Sequence, residues 1–459
     1  MLYNDTIAAI ATPAGTGGIG VVRLSGAESH PILEQIFVPN HTGRWRPFHM
    51  RLGRVIASNG TTVDEALAVY MRAPRSFTAE DVVEISCHGG PLVVSRVLQL
   101  MLEHGARLAE PGEFTMRAFL NGRVDLTQAE ATLDIINAQT ETSLALAQTQ
   151  LGGWLTNELR RLRQTLLGPL AYFTALVDFP EDEVEPQEVT TPLQEGLEKL
   201  EQLLATSSQG ILYRHGARAA LVGIPNVGKS SLLNALLRVD RAIVTPIPGT
   251  TRDTLEETAN LDGIPVVLVD TAGITETDDP VEQIGITRSR AALAQADIAL
   301  LVFDVTRDLT DAEIEIAGLT NDKPTILVLN KADLHTNGTA RAIHYEHVVA
   351  GLTTVAATVT LSALTGDGID DLVVAITTTL LKGVTPDDTQ LVTNARHRDT
   401  LERAAAHMRD AIDGYARGMP PDLLAIDITS ALTAIGEVTG ESVNEDLLAT
   451  IFSRFCIGK

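Results

Sequence analysis

Apolar and polar positions alternate with two different periods along this chain. In residues 1–120, short β-type runs at Ile19–Leu24, Glu65–Tyr70 and Val82–Ser86 stand beside a helical stretch at Pro91–Glu103, which predicts a compact α/β domain. From Thr127 to about Leu176 the pattern becomes helical, with proline almost absent. Phe179-Pro180 and the acidic segment after it interrupt that pattern, and a second helical stretch runs from about Leu193 to Thr206. At Ala217 the texture changes again. A buried-strand run enters a glycine-rich loop and then a helix, Ser231–Leu237. Strand-like runs recur at Val266–Val269, Ala299–Phe303 and Thr325–Leu329, mostly separated by helical segments. That alternation predicts a parallel, doubly wound sheet ending near Leu381. Residues 383–390 read as a linker, and helical texture returns from about Asn394 to Phe455. The simplest arrangement is one helical domain interrupted by an inserted α/β domain, because insertions enter surface loops.

Composition narrows the picture. The 459 residues are 44% hydrophobic but only 4% aromatic, so aliphatic side chains must do most of the packing. A formal net charge of −24 argues against a broad nucleic-acid-binding surface. The acidity lies beyond the first third, since residues 1–120 hold ten Arg, no Lys and eleven acids. Cys87 and Cys456 are too few and too far apart for a disulfide framework, which fits a reducing cytosol. No apolar run reaches the roughly 18 residues of a membrane span, and the N-terminus lacks the features of a secretory signal. A cytoplasmic location is expected.

Gly223–Ser230 fits the pattern G-x-x-x-x-G-K-S/T, with a strand before it and a helix after it. Its glycines let backbone N–H groups close around phosphates, Lys229 supplies positive charge to the β- and γ-phosphate oxygens, and the Ser230 hydroxyl suits Mg2+. Two later motifs select the base. Asp270-Thr271-Ala272-Gly273 ends a strand, where the carboxylate can reach Mg2+ through water and the Gly273 N–H can meet a γ-phosphate. Asn330-Lys331-Ala332-Asp333 ends another, where Asp333 can accept from guanine N1–H and the exocyclic amine. Adenine lacks that donor pair and would leave the carboxylate unpaired. Ser362-Ala363-Leu364 then offers backbone contact to the base. In order and spacing the set resembles the translation-factor-related branch of the GTPases.

The residue after the Asp270–Gly273 motif is Ile274, which cannot orient an attacking water as the glutamine of Ras-like proteins does. Glu282, in the segment 279–286, is the best candidate for that role, set against a solvated helix glutamate. Thr245–Asp253 follows the P-loop helix at switch I distance, and Thr251 is the expected second Mg2+ hydroxyl. The Asn226 side-chain oxygen can ligate a monovalent cation that replaces the charge of an arginine finger. Arg252 is the rival source of that charge, or a surface arginine.

End to end, the chain resembles the MnmE/TrmE family of tRNA modification GTPases. The resemblance rests on Asp5–Gly15, Phe77–Gly90, Pro111–Gly122 and the terminal Phe455–Lys459, beyond the nucleotide motifs. It implies a multidomain protein: an N-terminal α/β folate-binding-like and dimerisation domain (1–120), a discontinuous helical domain (121–215 and 383–459) and an inserted Ras-like α/β P-loop G domain (216–382). It implies potassium-stimulated GTP hydrolysis tied to G-domain dimerisation. It also implies action as a homodimer on tRNA with an FAD-dependent partner, MnmG (GidA), in a heterotetramer. Together they would build an aminomethyl-type group, such as carboxymethylaminomethyl, on C5 of the wobble uridine of certain tRNAs.

By motif, the potassium ligands would be Asn226, Thr245, Ile247 and Thr250, with Mg2+ on Ser230 and Thr251 and Glu282 orienting water. Nucleotide contacts would run along Asn226, Val227, Gly228, Lys229, Ser230 and Ser231 and along Thr245, Pro246, Ile247, Pro248, Gly249, Thr250 and Thr251. They continue through Asp270–Gly273, Asn330–Asp333 and Ser362–Leu364. A 5-formyltetrahydrofolate or related tetrahydrofolate would meet Arg23, Glu84, Arg123 and Lys459. Arg123 replaces the Lys of some members, keeping the charge with a different geometry. Cys456 would belong to a functional C-terminus. Its Cys-Ile-Gly-Lys end fits a prenylation box poorly. Cys87-His88 has no further ligand cluster nearby in sequence, which favours a structural or folate-site role over a metal pair. The competing readings are a GTPase switch in ribosome assembly and a folate-dependent transferase regulated by the G domain. Relatives of the former usually carry a recognisable RNA-binding module.

Overall fold

The computed structural model describes residues 5–179, 184–239, 256–270, 290–334, 338–383 and 390–458. The chain divides into two compact units, 1–133 with 433–459, and 134–432. Among the described residues no helix is long and apolar enough to cross a membrane.

The first unit contains β1 (Ile7–Ile10), β2 (Ile19–Ser25), β3 (Phe37–Pro39), β4 (Arg51–Ile56), β5 (Thr62–Met71), β6 (Val82–His88) and β7 (Arg107–Leu108). Their order is β3-β4-β5-β6-β2-β1-β7. Neighbours are antiparallel except β1 and β7. The period of two turns Val22, Leu24, Val83, Ile85 and Cys87 into one core. Helices Ser29–Ile36 and Pro91–Glu103 cover that core through Ile32, Leu33, Val94, Val97 and Leu100. Pro91 starts the second helix where its missing N–H costs nothing. Leu126, Ala129, Phe452 and Phe455 form another cluster of this unit, which seats the C-terminal helix Glu445–Phe452.

The second unit contains β8 (Ala217–Val222), β9 (Glu256–Leu261), β10 (Ile264–Asp270), β11 (Ile298–Asp304), β12 (Thr325–Asn330) and β13 (Val355–Thr360). The order is β13-β12-β11-β8-β10-β9. The sheet is parallel except for β9, which pairs antiparallel with β10. The apolar runs of the central strands predict the parallel part. Polar β9 and threonine-rich β13 lie at the two edges, where such sequences need no apolar run. Helices Lys229–Val239 and Ile369–Leu380 cover one face, with Leu232, Leu236, Leu372 and Ile376 in its core. Helices Asp311–Gly318 and Gly338–Ala350 cover the other, through Ile316, Ala317, Tyr345 and Val349.

The helical run expected over 127–176 is three helices, Leu126–Asn137, Glu141–Leu151 and Trp154–Asp178. Thr140 and Ser143 form a reciprocal capping box that starts the second, and Gly153 at φ 78° breaks the chain before the third. Helix Ala395–Ala416, which follows the nucleotide sheet in sequence, packs on Thr190–Ala205, which precedes it. Met408 meets Gly196 there, and Arg409 pairs with Glu201 at 2.8 Å. Helices on either side of the sheet in sequence thus pack together within the second unit, whereas residues 121–133 and 433–459 of the expected helical domain fall in the first.

An ionic network in the first unit is centred on the buried Arg117 and Glu113. Arg117 is 1% exposed, and its guanidinium meets Asp5 Oδ1 at 2.7 Å, Glu113 Oε1 at 3.2 Å and Glu80 Oε2 at 3.3 Å. Arg107 reaches the same Glu113 oxygen at 2.6 Å. Burial pushes the Glu113 carboxyl up, but hydrogen bonds from Arg107, the Glu110 N–H and Arg117 outweigh it and hold the group below the usual carboxylate range. The stability it contributes is therefore present above the ordinary glutamate pKa and lost as pH falls through the depressed folded value. Arg117→Ala strands Glu113 without one of its partners and should cost about 3–5 kcal/mol in urea unfolding of the full chain near pH 7. A loss below about 1 kcal/mol would mean the network is not holding this unit together.

Candidate functional site

The P-loop leaves β8 at Gly223 and enters the helix at Lys229. Val227, 1% exposed, anchors it in the core below. Asn226 (φ 66°) and Gly228 (φ 98°) take left-handed backbone that curls the loop. Gly228 has a second constraint: a Cβ there would stand 2.3 Å from Asn330 Nδ2. Lys229 Nζ donates to Gly223 O at 2.8 Å and Ile224 O at 3.0 Å, folding over its own loop. Burial lowers its pKa, opposed by the nearby Asp270 charge, so an anion in the loop would be its natural counter-charge. Asn226, Ser230 and Ser231 are exposed at the mouth.

Ser230 Oγ donates to Asp270 Oδ2 at 3.1 Å, while Asp270 Oδ1 is buried with no partner among the described residues. A hydroxyl oxygen beside an unsatisfied carboxylate oxygen is the hard-oxygen donor set that suits Mg2+. The residues present therefore fit that ion.

The base side is built on Asn330, 2% exposed at the end of β12. Its Nδ2 donates to Val227 O at 2.8 Å. Its Oδ1 accepts from Lys331 N at 2.8 Å and Ala363 N at 3.0 Å. One side chain thus joins the P-loop to both segments expected around a base. Asp333 lies in the short turn Ala332–Leu334, and its Oδ1 accepts from Ser362 Oγ at 2.6 Å. Thr365 N donates to that serine oxygen in turn. Leu364 is 84% exposed beside this arrangement. Ala332 is held through its N–H to Leu361 O. Asp304, at the end of β11, pairs with Lys331 Nζ at 2.6 Å. Sequence reasoning missed Asp304; the signal was a carboxylate closing a strand-like run, as Asp270 does.

In the first unit, Arg23 and Glu84 are register partners on β2 and β6, with Nε to Oε1 at 2.7 Å. Arg23 Nη1 also donates to Gly458 O at 3.2 Å. Gly458 has φ 95°, and a Cβ there would lie 2.4 Å from Ile10 O, so only glycine lets the tail dock so closely. The Arg23 guanidinium lies over Phe114 and that of Arg123 over Phe77, two rings of one apolar cluster. Cys456 is exposed with a free thiol, and its carbonyl accepts from Gly112 N. Cys87 is buried, donates to Gly20 O, and burial pushes its thiol up to about 11. His88 is exposed and bound to Asp64 at 2.7 Å. The two therefore do not form a metal pair.

Thr245, Pro246, Ile247, Pro248, Gly249, Thr250, Thr251, Arg252, Thr271, Ala272, Gly273, Ile274, Glu282 and Lys459 lie outside the described residues.

Two family descriptions match the chain: "MnmE helical domain" over residues 126–456 and "GTP-binding protein TrmE N-terminus" over 6–123. It is 64% identical over 463 residues to the tRNA modification GTPase MnmE of Roseiflexus sp. (strain RS-1), covering all of both chains. It is 63% identical over 464 residues to that of Roseiflexus castenholzii, again covering both fully. To that of Chloroflexus aurantiacus it is 57% identical over 458 residues, covering 99% of this chain and all of the other. At that identity along the whole length, the chain belongs to the MnmE (TrmE) family of tRNA modification GTPases.

Proposed function

We propose that the chain is a potassium-dependent GTPase that works as a homodimer with an FAD-dependent partner of the MnmG type. Together they add an aminomethyl-type group to C5 of the wobble uridine of certain tRNAs. The observation that supports the GTPase part is the Asn330 carboxamide, which ties Val227 of the P-loop to Lys331 and Ala363, neighbours of the Asp333–Ser362 pair.

In this reading, P-loop N–H groups and Lys229 hold the β- and γ-phosphates, and Asp333 and Ala363 select guanine. Ser230 and Thr251 would hold Mg2+, with Asp270 as a further hard-oxygen donor nearby. Asn226, Thr245, Ile247 and Thr250 would hold potassium, which when bound would supply positive charge where negative charge develops in the transition state. Glu282 orients the water. Its oxygen attacks the γ-phosphorus, the bond to the bridging oxygen breaks, and GDP and phosphate leave. Ile274 leaves that orienting role to another side chain, which supports Glu282.

Arg23 and Glu84, with the docked tail beside them, support a site for a tetrahydrofolate with Arg123 and Lys459. Their charges suit the carboxylate and amino-pterin ends of such a molecule. The net charge of −24 supports a division of labour in which the partner supplies most tRNA phosphate contacts.

Cells lacking the chain should lose the modified wobble nucleoside by mass spectrometry of digested tRNA, and Glu282→Ala should not restore it. The same variant should keep near-normal GTP affinity while hydrolysis falls roughly 100-fold, and wild-type hydrolysis should be faster in K+ than in Na+. Unchanged nucleosides would refute the tRNA reading, and unchanged turnover would remove Glu282 from the mechanism. In calorimetry of the full chain, 5-formyltetrahydrofolate should bind, and Arg23→Ala should weaken it at least about tenfold. No binding to wild type would overturn the folate assignment.

A further inference from the structure

β11 and β12 end side by side. Asp304 and Asn330 are register partners, and Lys331 is the next residue along. Asp304 is 7% exposed, and both of its carboxylate oxygens are engaged. Oδ1 accepts from Thr306 N at 3.0 Å and Thr306 Oγ1 at 2.6 Å. Oδ2 accepts from Lys331 Nζ at 2.6 Å. The backbone is held as well, because the buried Tyr345 hydroxyl sits between Arg307 O and Asp304 O, 3.2 Å from the latter. Burial pushes the carboxyl up, but the hydrogen bonds from Lys331 and Thr306 outweigh it and keep the group below the usual carboxylate range. Asp304 is thus a fixed anion in a rigid bed.

Lys331 is held at both ends. Its backbone is left-handed at φ 66°, with its N–H on Asn330 Oδ1, and its ammonium is on Asp304. A non-glycine residue in that backbone region carries strain, which persists only where the surroundings over-determine it. A free lysine side chain has about 2 kcal/mol of rotamer entropy to lose on ordering. Here the Asn330 amide oxygen holds its backbone and the Asp304 carboxylate holds its ammonium. The four methylenes between the two anchors lie two residues before Asp333 in sequence.

We propose that Asp304 is a positioning residue for guanine-nucleotide binding: it fixes the Lys331 side chain in the arrangement that receives the base. The inference rests on reading Asn330–Asp333 as the base site. Both Asp304 oxygens are turned to Thr306 and Lys331, so its contribution should run through Lys331 alone. A general structural role would predict something different: Asp304→Asn would then weaken binding whether or not the lysine is charged.

The test is a double-mutant cycle on the full chain, read as the Kd of fluorescent GDP at fixed Mg2+. Asp304→Asn should raise Kd about tenfold, the size expected from losing one hydrogen bond between charged groups. Lys331→Met, which keeps the stem and removes the ammonium, should raise it by a similar factor. The double variant should be no worse than Lys331→Met alone, within about twofold. Thr306→Ala, which removes the hydroxyl bond to the carboxylate but keeps the backbone N–H bond and the charge, should give a smaller loss that also disappears beside Lys331→Met. It carries the test if Asp304→Asn does not fold. Independent losses that multiply in the double variant would overturn the proposal, as would Asp304→Asn with wild-type affinity. Asp333→Asn is the control for the underlying reading. Loss of GDP binding there with a silent Asp304→Asn would sink the inference alone, whereas normal GDP binding by Asp333→Asn would sink the base-site reading with it.

Discussion

The Asn330 carboxamide donates to the P-loop carbonyl of Val227 and accepts from the N–H groups of Lys331 and Ala363. It is buried, so each polar atom must find a protein partner or carry the desolvation cost of a lost hydrogen bond. The partners lie on three segments distant in sequence: the loop after β8, the turn after β12 and the segment after β13. Satisfying one amide therefore fixes the P-loop relative to the turn after β12 and the segment after β13. Gly228 follows from the same contact, because any Cβ would collide with the amide nitrogen.

The sheet makes that contact available. β8, β10, β11 and β12 run parallel, and β10, β11 and β12 end on Asp270, Asp304 and Asn330. The carboxyl ends of parallel strands gather polar residues beyond the core, where open α/β sheets bind ligands. Asp270 meets Ser230 under the phosphate loop, Asp304 meets Lys331, and Asn330 joins the loops. The first unit uses a different device. Its sheet pairs Arg23 with Glu84 across neighbouring strands, and close docking at Gly458 brings that residue's carbonyl to Arg23.

What could be read from the sequence follows from how local each signal is. The helix Pro91–Glu103 matches its expected bounds, because its proline start and apolar spacing are local. The central strands were legible as apolar runs, since both faces of their sheet are buried. β9 and β13 were not, because edge strands need no such run. The nucleotide motifs were legible as fixed spacings at strand ends. The Asp304–Lys331 pair was not, since its members are 27 positions apart and a lone aspartate after a strand looks like a solvated turn. The Arg117 network was hidden for the same reason: it joins Asp5, Glu80 and Glu113, and buried charges are not expected from composition.

If Asn330 holds the site together, its loss should be felt in all three segments at once. Hydrogen exchange on Asn330→Ala in the full chain tests this directly. The account predicts that amide protection falls together in the P-loop, in 331–334 and in 361–365, and that GDP affinity drops with it. Lost protection confined to 331–334, with P-loop amides exchanging as in the wild type, would contradict it.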